Sequence, residues 1–100
     1  MLVNKENDMK IKTNGTKFKV TVLGNMSNEM TSAFESNLKA VYTKFGGKIA
    51  SIVIDATGKT HYALTVTSKS GVNEVVTFST SNGNTVKVYM SYVTTFLKGV

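Results

Sequence analysis

The stretch NMSNEMTSAFESNLKAVYTKFGG, residues 25–47, decides the fold. Within it Met30, Phe34, Leu38, Val41 and Phe45 recur at steps of four and three, and Met26 adds one turn at the front. An α-helix returns a side chain to the same face every three or four residues, so these positions form one apolar stripe. Glu29, Ser32, Glu35, Ser36, Lys39 and Thr43 occupy the other face. The spacing predicts a helix over about 27–45 with one buried face. Asn25, Ser27 and Asn28 are each competent N-caps. Glu35 precedes Lys39 by four, the favourable order for an ion pair. Gly46-Gly47 is expected to stop the helix by supplying positive φ. Everything downstream reads as strand, so this is expected to be the only helix.

Outward from the helix the chain reads as β structure. Upstream, Thr16 to Leu23 alternates, with Phe18, Val20 and Val22 on one face and Lys17, Lys19 and Thr21 on the other. That is a half-buried strand. Residues 1–14 are polar and charged and are expected to form a mobile arm, leaving 15–98 as a single domain. Downstream, three Gly-ended segments, Ala56-Thr57-Gly58, Lys69-Ser70-Gly71 and Ser81-Asn82-Gly83, divide the sequence into four expected strands. Each suits a three-residue hairpin loop, a type I turn followed by a left-handed residue.

Three-residue loops pair residues whose numbers sum to an even value. Phe78 then opposes Val86, Val76 opposes Val88, Leu64 opposes Val76 and Tyr62 opposes Phe78. Ile52 opposes Tyr62, and Ala50 opposes Leu64. A one-residue slip would set valines against lysine or threonine. A third row, Lys48, Val66, Glu74 and Met90, places Glu74 inward, where Lys48 is its expected partner. The outward face is rich in Ser and Thr, as a solvated antiparallel face should be. One row on it is less polar: Ile49, Thr65, Val75 and Tyr89. Val93 to Val100 is expected to continue the last strand and trail off, with Phe96 and Leu97 tucked against the helix or the sheet edge.

The expected architecture is α+β: one helix on a five-stranded, mostly antiparallel sheet in the order β-α-β-β-β-β. The first strand has three open placements: antiparallel beside the second, at the far edge, or parallel to the second through the helix. The order resembles the cystatin/monellin roll in topology, over Thr16 to Val93. Of the cystatin pattern Q-x-V-x-G, Ile54-Asp55-Ala56-Thr57-Gly58 keeps only the Gly, and Ser81-Asn82-Gly83-Asn84 lacks the Pro-Trp. The resemblance therefore implies geometry and not cysteine-protease inhibition. In such a roll the N-terminal arm and the first and third hairpins gather at one end, with Lys59 and Asn82 there.

Composition narrows the chemistry. The chain has 100 residues and no Cys, which removes disulfides, thiolate nucleophiles and cysteine metal sites. Its net charge of +6 comes from twelve lysines, because Arg is absent. Lysine is a point charge without the planar fork that reads guanine and phosphate. The balance suits solubility or loose polyanion attraction better than sequence readout. No wholly apolar run exceeds three residues, as in Ile52-Val53-Ile54, so no membrane span is expected. The first ten residues carry no apolar core of a signal peptide, and a cytoplasmic location is expected. One His leaves no zinc cluster, and Gly46-Gly47 precedes a strand instead of a phosphate-binding helix. His61 falls opposite Ser79 with Asp55 diagonal, a triad-like set on a flat open face with no oxyanion hole.

No catalytic residue, cofactor or metal is expected. The expected function is a small non-enzymatic protein-binding module, an inhibitor or accessory protein of a phage or mobile element. The alternatives are a lysine-rich nucleic-acid-binding protein using Tyr89, and a homo-oligomeric structural protein joined through the outward face or an open strand edge. Expected partner-binding residues are Ile49, Thr65, Val75, Tyr89 and Lys87 on the outward face, and Lys59 and Asn82 at the hairpin end. The expected partner is a protein, with nucleic acid or a second copy as the other candidates.

Overall fold

The computed structural model describes residues 6–8, 19–58, 60–80 and 82–100. The class is α+β, as expected, but the described residues make two α-helices where one was expected. A mixed sheet is built from β2 (Lys19–Gly24), β3 (Ile49–Ala56), β4 (His61–Ser68) and β5 (Asn73–Ser79), side by side in that order. A three-residue segment, β1 (Glu6–Asp8), pairs antiparallel with the outer side of β2. The rest of the expected arm, the start of the expected first strand including Phe18, and Lys59 and Ser81 lie outside the described residues. Helices α1 (Asn28–Phe45) and α2 (Asn84–Lys98) share one hydrophobic core with the inward side chains of the strands. No described helix is long and apolar enough to cross a membrane.

Helix α1 follows its stripe. Met30, Phe34, Leu38 and Val41 are buried, Phe45 is half-buried, and Tyr42 is buried beside them. Each large side chain so buried contributes about 1.5–3 kcal/mol. Ser27 is the N-cap, its Oγ accepting from the Met30 N–H at 3.2 Å. The entry turn needs glycine: Gly24 has φ +85°, and a Cβ there would lie 2.8 Å from the Ala56 carbonyl oxygen. The exit does not use positive φ. Gly46 is right-handed, and Gly46–Lys48 tightens into a 3₁₀ turn. The chain then returns as β3, parallel to β2, with Val20 beside Ile52 and Val22 beside Ile54. Of the three open placements, the crossover through the helix is the one adopted.

The β4–β5 hairpin keeps the expected register. His61 opposes Ser79, Tyr62 opposes Phe78 and Leu64 opposes Val76. Its turn, Lys69-Ser70-Gly71, closes with Gly71 at φ +92°. The β3–β4 hairpin keeps the parity but not the pairing. Ile52 opposes Val66 and Ile54 opposes Leu64, a shift of four from the expected sum. A bulge between Ile49 and Ser51 exchanges two faces: Ala50, expected inward, is exposed, and Ile49, expected outward, is buried at 0% exposure.

The last expected strand is a helix. Residues 84–98 bury Val86, Met90, Val93 and Leu97, at steps of four, three and four. Phe78 and Val86 do share the core, but through a helix packed beneath the sheet and not through a fourth hairpin. The cystatin-like roll is therefore not formed. Val88, expected inward, is exposed, and Val93, expected outward, is buried. Glu74 is exposed, and the Lys48 ammonium donates to the Leu97 carbonyl at 3.1 Å instead of pairing with it.

Candidate functional site

The expected outward row breaks up. Thr65 and Val75 are direct cross-strand partners, with Val53 beside Thr65. Ile49 has left the row for the core. Tyr89 belongs to α2, where its ring stacks on Phe78 at 4.6 Å and 9° and touches Tyr92 at 5.8 Å. Lys87 also belongs to α2 and lines a polar groove against α1 with Glu29, Ser32 and Asn37. Asn82 is not a hairpin tip: its Oδ1 accepts from the Asn84 N–H at 2.9 Å and so helps start α2. The Gly83 N–H donates to Glu29 Oε2 at 2.9 Å, tying that start to α1.

Asp55, His61 and Ser79 do meet around a shallow depression of about 450 Å³ at the β3–β4 end of the sheet. They are not joined there. Asp55 Oδ1 accepts from the Thr57 hydroxyl at 2.6 Å and the Thr57 N–H at 3.0 Å. Those two bonds, the hydroxyl first, hold its carboxyl below the ordinary carboxylate range. Among the described residues no hydrogen bond links His61 to Asp55 or Ser79, and none orients its imidazole. No described group of His, Asp and Glu has the arrangement of a metal site.

Several lysines have structural work. Lys44 and Lys98 lie in the last turns of α1 and α2, and Lys48 donates to a carbonyl at the end of α2. Cations at helix C-termini complement the dipole.

The feature that sequence reading missed is the free edge of β5. Backbone bonds from Thr80 N–H to the Thr60 carbonyl and from Ser68 N–H to the Val72 carbonyl, each 2.8 Å, fix the alternation of the hairpin. Residues 72, 74, 76, 78 and 80 therefore direct their backbone groups at β4. Asn73, Val75, Thr77 and Ser79 direct theirs away from the sheet, and among the described residues nothing pairs with them. All four side chains are exposed. A strand edge of this kind is a template for another chain, and proteins normally blunt it with lysine, proline or a bulge. Asn73–Ser79 has none of these in a chain of twelve lysines, and its one charge is Glu74.

The flank of that edge is apolar. The exposed large apolar side chains among the described residues are Val72 (49%), Val75 (58%), Val88 (58%) and Tyr92 (53%). All belong to β5, its approach or α2. Tyr62, Phe78, Tyr89 and Tyr92 form a continuous run of rings from the core to this surface. The signal that would have revealed the edge is the spacing 86, 90, 93, 97, which takes 84–98 out of the sheet.

Comparison with family models, with curated proteins and with solved structures found no match.

Proposed function

We propose that this chain is a small non-enzymatic protein-binding module that receives its partner as an added strand along β5. The observation that carries the reading is the set of backbone groups at Asn73, Val75, Thr77 and Ser79 that no described residue pairs with, bordered by exposed Val75 and Tyr92. Strand addition takes affinity from main-chain bonds and selectivity from alternate side chains. The Lys-, Asn- and Thr-rich composition fits an AT-rich bacterial or phage genome, and an inhibitor or accessory protein of a phage or mobile element is the setting proposed. Nucleic-acid binding has less support, because Tyr89 is half-buried on Phe78 and Lys44, Lys48 and Lys98 attend helix ends.

The test uses tagged chain crosslinked in host lysate with untagged chain present, comparing the natural sequence with the double variant Val75→Lys and Thr77→Lys. Retention of a protein, an untagged copy included, that is lost in the variant while circular dichroism stays unchanged supports the reading. Equal retention by both, or none above a bait-free control, contradicts it.

A further inference from the structure

We infer that the occupant of the β5 edge is a second copy of this chain, related by a two-fold axis through Val76, so that two sheets join into one. This rests on the strand-addition reading and names its partner.

The strand is compatible with itself. Only odd-numbered residues of β5 present N–H and C=O groups that no described residue takes up, so a symmetric antiparallel pair must match odd with odd. Centred on Val76, Asn73 faces Ser79 of the mate and Val75 faces its Thr77. All seven residues overlap, and all four outward residues are hydrogen-bonded. Glu74, the strand's single charge, then faces Phe78 of the mate, so no like charges oppose each other. Centring on Glu74 instead would set carboxylate against carboxylate.

The helix layer also matches. Helix α2 packs beneath β5 and α1 packs beside it. Strands lie about 4.8 Å apart and packed helices about 8–10 Å apart. Two helices thus span four strands, with α2 just inside the edge. Extending the sheet across β5 puts the two α2 helices about one helix spacing apart, antiparallel. The side of α2 turned away from Lys87 and α1 carries Tyr89 and, next to it, Tyr92, which no described residue of the same copy covers by more than about half. Such an interface is isologous and closes at two copies. A heterologous strand would pair the same backbone groups but bring no second α2 to cover Tyr92.

The test is sedimentation equilibrium of the full chain over a concentration series. The natural sequence should show a monomer–dimer equilibrium. Val75→Lys with Thr77→Lys sets ammonium groups opposite one another in both Val75–Thr77 pairs and should weaken the dimer at least tenfold. Val75→Glu with Thr77→Glu should do the same, and mixing the two variants should restore a dimer. Single cysteines, labelled with nitroxide at Val75 or Asn73, then read the register. Copies should lie two residues out of alignment at position 75 and six at position 73, about 7 Å and about 20 Å along the strand. A monomer at every concentration overturns the inference; the strand-addition reading survives that result if the lysine variant still loses a different protein. A dimer indifferent to both charge variants, or equal label distances at the two positions, overturns the inference as well.

Discussion

The two helices bury similar stripes but finish their outer surfaces differently. Helix α1 buries Met30, Phe34, Leu38, Val41 and Tyr42, and among its exposed residues are Glu29, Ser32, Ser36, Lys39, Thr43 and Lys44. Helix α2 buries Val86, Met90, Val93 and Leu97, yet leaves Val88 and Tyr92 half or more exposed. The start of α1 is capped by its own Ser27, whereas the start of α2 depends on Glu29 of α1 and on Asn82. An outer face made for water belongs to a helix that is complete in one copy. Beside exposed Asn84, Lys87, Ser91, Thr95 and Lys98, the outer face of α2 carries these two large apolar side chains, and the helix packs on β5, whose outer edge no described residue pairs with.

That contrast can be broken at several points, beginning with the core. Phe34→Ala should cost about 3–5 kcal/mol and Leu97→Ala about 2–5 kcal/mol, measured by denaturant unfolding. The second value is the informative one, because Leu97 in a trailing strand end would cost little. Ser27→Ala should cost about 1 kcal/mol through loss of the α1 cap, with no effect on self-association. Val88→Ala should raise the thermal stability of the monomer by a few tenths of a kcal/mol, because alanine is the better helix former. A loss of monomer stability would argue that residue 88 is not in an exposed helix. Tyr92→Ala, on the side of α2 that continues from Tyr89, should weaken the dimer.

The smallest effect is at Asp55. Its folded carboxyl titrates below the ordinary value near 3.9, so its contribution is present above that value and is lost as pH falls through the folded one. Thr57→Val removes the leading cause and should raise the Asp55 titration midpoint by NMR. The stability difference from the natural sequence should fade in strong acid. A midpoint unmoved by the substitution would contradict the Thr57 hydrogen bond.

Legibility followed the physics of each pattern. Helix α1 was readable because its stripe, its cap and its polar face agree. The β4–β5 hairpin was readable because Gly71 ends a three-residue loop. In β3 the apolar period of two constrains register only in steps of two, so the pairing shifted by four without exposing a valine. Nothing in the sequence marks the bulge at Ala50 that turns Ile49 inward. Residues 84–98 satisfy both periods: Val86, Val88 and Met90 alternate, and Val86, Met90, Val93 and Leu97 follow the helix. The alternation lasts five residues and the helical spacing twelve, and the longer pattern prevailed. Of the expected row, Thr65 and Val75 do lie side by side on the outward face. The edge was not legible, because the expected last strand would have covered it.

Amide hydrogen exchange along β5, followed against protein concentration, tests the central claim most directly. In dilute solution Val76 and Phe78 should be protected while Val75, Thr77 and Ser79 exchange fast. At concentrations where the dimer forms, the odd-numbered amides should become protected too. Odd-numbered amides that stay fast at every concentration, or that are already protected in the monomer, would contradict a free edge filled by a second copy.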